Sequence, residues 1–306
     1  MLVRCVVAML LCMSNVQRRS ASDGAIARPT WHVVIPLVWS ESRPVVQVLF
    51  GTRFVVAALL AGGVGSIAWL PALLGWTLLT VAVYVSNGLS DLEGDRRNGS
   101  TRPLASGRLA SRHAAAAVAL AAGMGLAVLA LFGPMALLLG AAFLAAGLLY
   151  SHGPHPLKNH WPSAGCCCAA GGLLTFAAGV VAAGGSLTPG RAVLLVAAGL
   201  WMGIGGATKD LGDAEGDAHA GRRTLPVVLG ARSARRAIVG AAVLFAVATT
   251  GAALATGSPG LTAVSIVAAA VVVARSLRDG QDDPRLPYRR FIVGQFVTLT
   301  CLATAA

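Results

Sequence analysis

Long runs of apolar side chains, broken by short polar segments, dominate this sequence. A helix needs about 20 mostly apolar residues to cross a bilayer. Runs of that kind predict nine helices, over residues 45–64, 68–92, 113–131, 133–151, 164–184, 191–209, 236–256, 260–276 and 289–306. The fold class expected is an all-α membrane protein, a bundle of about nine transmembrane helices. Residues 29–42, RPTWHVVIPLVWSE, read as an interfacial lead-in with Trp31 and Trp39 as anchors. The apolar run at 5–13 is too short to span, and no convincing cleavage site follows it. Residues 1–42 are therefore expected to form an N-terminal leader or interfacial segment, and 43–306 the membrane domain.

Composition agrees with that solvent. Hydrophobic residues make up 56% of the chain and charged ones 12%, where a water-soluble domain carries about 25% charged residues. Mean hydropathy is +0.73. The 37 glycines and a 6% aromatic content suit helices packed closely in lipid, where small residues let backbones approach. Gly203, Gly205 and Gly206 are read in that way, not as a nucleotide loop.

A formal charge of +12 raises the question of nucleic acid. Its distribution argues against such a partner, because the basic residues sit in loops between apolar runs. Lys and Arg accumulate on the cytoplasmic side of membrane proteins. The loop after the second run holds Arg96, Arg97, Arg102, Arg108 and Arg112, and that after the fourth holds Lys158. The loop after the sixth holds Lys209, Arg222, Arg223, Arg232, Arg235 and Arg236, and that after the eighth Arg275, Arg278, Arg285, Arg289 and Arg290. These even-numbered loops and the N-terminus are expected in the cytoplasm of a multi-pass cell-membrane protein. All six cysteines lie in apolar stretches without metal-ligand spacing, so neither a zinc site nor a disulfide framework is expected.

The twelve acids are concentrated. Asp91, Glu93 and Asp95 close the second run, and Asp210, Asp213, Glu215 and Asp217 follow the sixth. Carboxylates at a membrane edge are costly and mark a site. Asn87, Asp91 and Asp95 stand at i, i+4 and i+8, and Asp210, Asp213 and Asp217 at i, i+3 and i+7, so each set lies on one helix face. Glu93 falls off the first face. Two facing sets of hard oxygen ligands suit Mg²⁺ with phosphate oxygens and water. A diphosphate bound there calls for cations, and Arg102, Lys158, Lys209 and Arg222 lie on the same membrane side, with Tyr150 adding a hydroxyl. Arg53, two turns into the first helix, is read as either a reach towards substrate or a snorkelling side chain.

These residues resemble a known family. Asn87, Asp91 and Asp95 followed by RPLASG (102–107) look like the first signature of the UbiA-type intramembrane prenyltransferases, and DAEGDAHAGRRTLPVVLG (213–230) looks like the second. YSHGPHPLK (150–158) is similar to the Tyr–Lys loop of the branch that includes chlorophyll synthase and related geranylgeranyl-transferring enzymes. The resemblance implies a central cavity capped by the even-numbered loops. It implies Mg²⁺ held by Asn87, Asp91 and Asp95 on one side and by Asp213 and Asp217 on the other, with Asp210 as an extra upstream acid. Arg102, Lys158 and Tyr150 would contact an isoprenyl diphosphate or shape its cap. One departure is Gly88, where many members carry Asp after the motif Asn.

The activity implied is Mg²⁺-dependent transfer of an isoprenyl group to an aromatic or lipid-like acceptor, with release of diphosphate. The alternative on the same scaffold is a terpene cyclase, which benefits from aromatic faces around a cation. Aromatic residues are few in the predicted helices, which leans towards transfer. A transporter would want its charges near the bilayer midplane, and these lie at one edge.

Overall fold

The structure, a computed structural model, describes residues 31–257 and 283–304, with positions 260, 266–267, 270–271, 273–275 and 277 between them. The described residues form helices and loops without a named strand. A short helix α1 (Trp31–Glu41) leads into α2 (Pro44–Leu60), and the two axes differ by 75°. The break is built by Arg43, whose φ of 59° is left-handed, and by Pro44 in the first turn of α2, where its missing N–H costs nothing. Gln47 Nε2 donates to the Ser42 carbonyl at 2.8 Å and fixes the corner.

Next come α3 (Leu70–Arg97), α4 (Ser111–Ala130), α5 (Pro134–Ser151), α6 (Trp161–Ala183) and α7 (Pro189–Gly206). A ten-residue helix α8 (Asp210–His219) and a single turn α9 (Leu225–Leu229) precede α10 (Ala231–Thr256), and α11 (Leu286–Ala303) ends the described chain. Sequential helices pack as neighbours, while α2 lies against α6 and α11 lies against both α2 and α7. The late helix thereby returns to the first part of the chain.

Close approach of backbones holds the bundle. A Cβ on Gly125 of α4 would stand 2.8 Å from the Gly75 carbonyl of α3, and one on Gly203 of α7 would stand 2.7 Å from the Gly165 carbonyl of α6. Only glycine permits these crossings, and in lipid such packing is a main source of helix association. Larger side chains fill the remaining space. Phe54, Trp76, Leu79, Leu129 and Phe143 form one cluster between α2, α3, α4 and α5. Leu49, Phe176, Leu194, Trp201 and Phe245 belong to another between α2, α6, α7 and α10. Trp76 Nε1 bonds Thr175 Oγ1 at 3.2 Å, so the indole joins α3 to α6 without leaving its donor unpaired.

Six described helices are long and apolar enough to cross a membrane, α3 to α7 and α10, and α1 with α2 makes a seventh if the bent pair is one span. The expectation of nine differs at three places. The first run is realised as α2, whose 17 residues reach the spanning length only together with α1. The run at 260–276 lies largely outside the described residues, as do residues 1–30. The ninth run is α11, a helix of 18 residues that is not among the six, with Arg289 and Arg290 near its start.

Candidate active site

At 28 residues, α3 is about 42 Å long, well beyond a hydrocarbon core of about 30 Å. Its final turns project past the apolar layer and carry Asn87, Asp91 and Asp95. Arg96 and Arg97 sit in its last turn, where cations complement the helix dipole. Arg97 pairs with Glu93 on the exposed face, away from the ladder. On the opposite wall α8 begins with Asp210 and presents Asp213 and Asp217 along one side.

Two loops close over these helix ends. The Leu157–Asn159 turn follows α5, and residues 220–224 follow α8. They are joined through backbone: Arg223 N–H donates to the Asn159 carbonyl at 2.7 Å, and Trp161 N–H to the Arg223 carbonyl at 3.1 Å. This short parallel bridge brings Lys158 and Arg222, 64 positions apart in sequence, to one carboxylate. Lys158 Nζ lies 2.7 Å and Arg222 Nη2 2.6 Å from Asp91 Oδ1. Arg222 Nη1 also reaches Asp217 Oδ1 at 3.2 Å, so one guanidinium joins the two acidic helices.

Beneath lies a cavity of ≈ 210 Å³. Its outer layer holds Asn87, Asp91, Tyr150, Lys158, Lys209, Asp210 and Arg222, and its inner part holds Phe50, Arg53, Tyr84, Phe143, Cys168, Met202 and Phe291. Three expected site residues stand beside it. Asp95 pairs with Arg102 at 2.8 Å, Asp213 lies 3.5 Å from Lys209, and Asp217 connects through Arg222. Arg102 was expected to contact diphosphate or shape its cap. It does not line the cavity, and its guanidinium is held between Asp95 and the buried carboxylate of Glu41.

Electrostatics distinguish the groups. Burial raises the Asp210 carboxyl to about 6, and Asp217 and Asp213 add to the shift against the pull of Lys209. Burial also raises Asp217 against the pull of Arg222. Burial lowers Lys158, with Asp91 opposing the shift. For Arg222 burial opposes the charge, but Asp91 and Asp217 outweigh it and hold the guanidinium above its usual value. Asp210 is thus an acid short of positive charge.

That donor set fits Mg²⁺, a hard cation served by carboxylate, carbonyl and water oxygens. Among the described residues no three acidic, His or Cys side chains converge into a finished cage.

Several contributors are absent from the sequence signatures. Lys158 also bonds Ser90 Oγ at 2.6 Å. Ser151 Oγ accepts from Asn87 Nδ2 at 3.2 Å, and Ser86 Oγ meets His152 Nε2 at 2.7 Å. Burial lowers His152 first, and neighbouring Lys158 adds to that shift. Ser86 and Ser90 stand one turn apart on α3, immediately before Asn87 and three positions after it, so the helix period could have pointed to them. Glu41 and Gln295 carried no such signal.

Known proteins share the family and the fold of this chain. The model of the UbiA prenyltransferase family matches residues 48–299. A digeranylgeranylglyceryl phosphate synthase of Halobacterium salinarum is 33% identical over 278 residues, covering 84% of this chain and 96% of that protein. A UbiA homolog from Archaeoglobus fulgidus, solved bound to GPP and Mg²⁺, superposes with a TM-score of 0.72 at 19% identity, covering 88% of this chain and 98% of the other. The apo structure of a UbiA homolog from Aeropyrum pernix K1 superposes with a TM-score of 0.66 at 23% identity, covering 84% and 97%. The chain is a multi-pass membrane protein with the all-α fold of these homologues, and it belongs to the UbiA prenyltransferase family.

Proposed function

We propose that this prenyltransferase moves an isoprenyl group from an isoprenyl diphosphate to a lipid-like or aromatic acceptor, with Mg²⁺, at the cytoplasmic face of the cell membrane. The observation that carries this reading is the layering of one cavity. Acids and cations (Asp91, Lys158, Lys209, Asp210, Arg222) line its outer part, and largely apolar side chains line the inner part. A diphosphate joined to a hydrocarbon tail has the same division.

Bound Mg²⁺ would supply Lewis-acid stabilisation of the departing diphosphate, with Asn87, Asp91, Asp95, Asp210, Asp213 and Asp217 as the residues that hold it. Lys158 and Arg222 offer their N–H groups to phosphate oxygens and stabilise the charge that develops there. Tyr150 adds a hydroxyl in the same layer. The C1–O bond of the donor breaks with its electron pair staying on the diphosphate. A new bond then forms from C1 to an acceptor oxygen or ring carbon, and the acceptor's proton passes to the departing diphosphate. Phe50, Phe143 and Phe291 exclude water from the allylic cation.

The relative's name supports a glycerophosphate lipid as acceptor, and the neighbour solved with GPP and Mg²⁺ supports the donor and the metal. The decisive experiment incubates purified protein with Mg²⁺ and isoprenyl diphosphates of several lengths, with and without acceptor. Prenylated acceptor formed only when both substrates and Mg²⁺ are present is expected. A cyclised hydrocarbon formed without acceptor would replace transfer with cyclisation.

A further inference from the structure

A second cavity lies away from the active site. It holds ≈ 600 Å³ between α10 and the chain at 270–275, and none of its lining residues belongs to the central cavity. Ala242 and Ala270, each 1% exposed, form its floor. Val243, Val247 and Val271, each more than half exposed, form rims that face away from the bundle. An empty apolar groove forfeits its contacts, so in a bilayer this one holds hydrocarbon. From Val239 to Val247 the lined stretch of α10 is about 12 Å long, less than half of a hydrocarbon core of about 30 Å. The groove therefore stays within one leaflet.

One end of the groove is basic. Arg235 Nη1 donates to the Leu277 carbonyl at 3.2 Å, which places position 277 beside the first turns of α10. Arg275, two positions earlier, lines the groove itself. Arg232 and Arg236 stand seven and three residues before Val239, so they continue the helix face that carries Val239, Val243 and Val247. Both are exposed, and among the described residues neither belongs to an ion pair. Because α10 follows directly on α9 and the loop with Arg222, this end lies on the membrane face of the active-site loops.

We propose that this groove binds one anionic phospholipid, with its phosphodiester on Arg236 and Arg275, Arg232 beside them, and an acyl chain between the valine rims. The site is separate from catalysis and does not depend on the transfer reading. Basic side chains at a membrane surface draw anionic headgroups, and here they stand where a chain entering the groove from that surface would leave its headgroup. A second copy of the protein fits the same face poorly. A two-fold contact would set Arg232 and Arg236 against their own equivalents, and a partner helix would press along all of α10 instead of a stretch of about 12 Å.

The test titrates full-length protein in maltoside micelles with dioleoylphosphatidylglycerol or dioleoylphosphatidylcholine. Native mass spectrometry counts bound lipids and protein copies and gives the affinity for the first lipid. The wild type should bind phosphatidylglycerol about fivefold or more tighter than phosphatidylcholine. Arg236→Gln should weaken phosphatidylglycerol by about fivefold, the scale of one basic residue at an anionic surface, and leave phosphatidylcholine within about twofold. Arg236→Lys should keep most of the preference. Arg112→Gln, at an exposed arginine of α4 on the same membrane face, should change it by less than about twofold. Ala246→Phe fills the groove with every arginine in place and should weaken both lipids; Val243→Trp, at the exposed rim, tests the same point in a position tolerant of bulk. An unchanged melting temperature in lipid-free micelles certifies each variant as folded. The proposal is overturned if the wild type shows no preference, if Arg112→Gln costs as much as Arg236→Gln, or if both groove-filling variants bind as the wild type does. Loss of the lipid in Arg53→Leu would assign it to the central cavity instead. A two-copy species that Ala246→Phe converts to single copies would give the groove to a second chain, and either result sinks the lipid site.

Discussion

The carboxylate of Glu41 occupies the space that a side chain on Gly88 would need. A Cβ built on Gly88 collides with Glu41 Oε1 and stands 3.0 Å from Arg102 Nη2. Glu41 in turn pairs with Arg102 and accepts from the Leu104 N–H at 3.0 Å, and Arg102 holds Asp95. Gly88 is the position where many members of the family carry Asp. Here a buried acid arrives from α1 instead, 47 positions earlier in sequence.

This exchange predicts a reciprocal rescue. Gly88→Asp alone should crowd Glu41 with a second acid and lower both melting temperature and turnover. Glu41→Ala alone should leave Arg102 with Asp95 as its one carboxylate partner beside the residue-41 carbonyl, at a cost of about 1–3 kcal/mol. The double variant Glu41→Ala/Gly88→Asp should recover much of the stability and activity lost by either. Thermal melting and prenylation rates of the four proteins check it, and additive losses would contradict it.

Arg222 joins Asp91 to Asp217, and this predicts a metal-dependent stability. In Arg222→Leu the two carboxylates lose their shared cation, a loss of about 1–3 kcal/mol. For a chain of this size each kcal/mol corresponds to about 2–4 °C in melting temperature. Millimolar Mg²⁺ should restore more stability to Arg222→Leu than it adds to the wild type. Melting curves with Mg²⁺ and with a chelator check this without reference to turnover, and equal Mg²⁺ effects in both proteins would count against a metal between the acids.

Much of the bundle was legible because lipid imposes a simple rule: a spanning helix satisfies its backbone internally, so a long apolar run becomes a helix. Eight of the nine expected runs overlap described helices, from α2 to α11. The acid ladders were legible for a related reason, since a period of 3.6 converts Asn87, Asp91 and Asp95 into one face. What stayed hidden was long-range partnership. Glu41 looked like one charge in an interfacial segment, because nothing local announces that α1 folds back at Arg43 and delivers it to Arg102. Arg53 was ambiguous between snorkelling and substrate contact until α11 placed Gln295 beside it. The resemblance of RPLASG to a family signature implied that Arg102 contacts diphosphate or shapes its cap, and nothing in that motif announced its pairing with Glu41 as well as Asp95.

Replacing the acids themselves should separate chemistry from folding. Asp91→Asn and Asp217→Asn keep shape and remove charge, and each is expected to lower the prenylation rate by about a hundredfold or more, the scale of losing one electrostatic stabiliser of a transition state. Both proteins should still insert and purify as the wild type does. Asp213→Asn, whose carboxylate faces Lys209 at 3.5 Å and is partly exposed, is expected to lose as much, and a markedly smaller loss would remove Asp213 from the metal-holding set. Initial rates at saturating Mg²⁺ give the answer, and an Asp91→Asn variant at wild-type rate would remove Asp91 from the site.

Lys158 and Arg222 converge on a single oxygen, Asp91 Oδ1, and their loops are paired through Asn159 and Arg223. The two cations therefore form one unit, and their substitutions should not add. With Lys158→Met, Arg222 remains to neutralise Asp91 and to meet the donor's phosphates; with Arg222→Leu, Lys158 does the same. Each single change is expected to raise the KM for isoprenyl diphosphate and to lower kcat. Removing both leaves Asp91 without a cation and the diphosphate without either donor, so the double variant should lose more than the product of the single losses. Coupling of about 0.5–3 kcal/mol is usual for residues that share a partner, which corresponds to about twofold to a hundredfold in kcat/KM. A double-mutant cycle on kcat/KM for the donor measures it directly. Strict additivity would mean that the cations act at separate points on the substrate, and the convergence on Asp91 would then be a feature of the resting site alone.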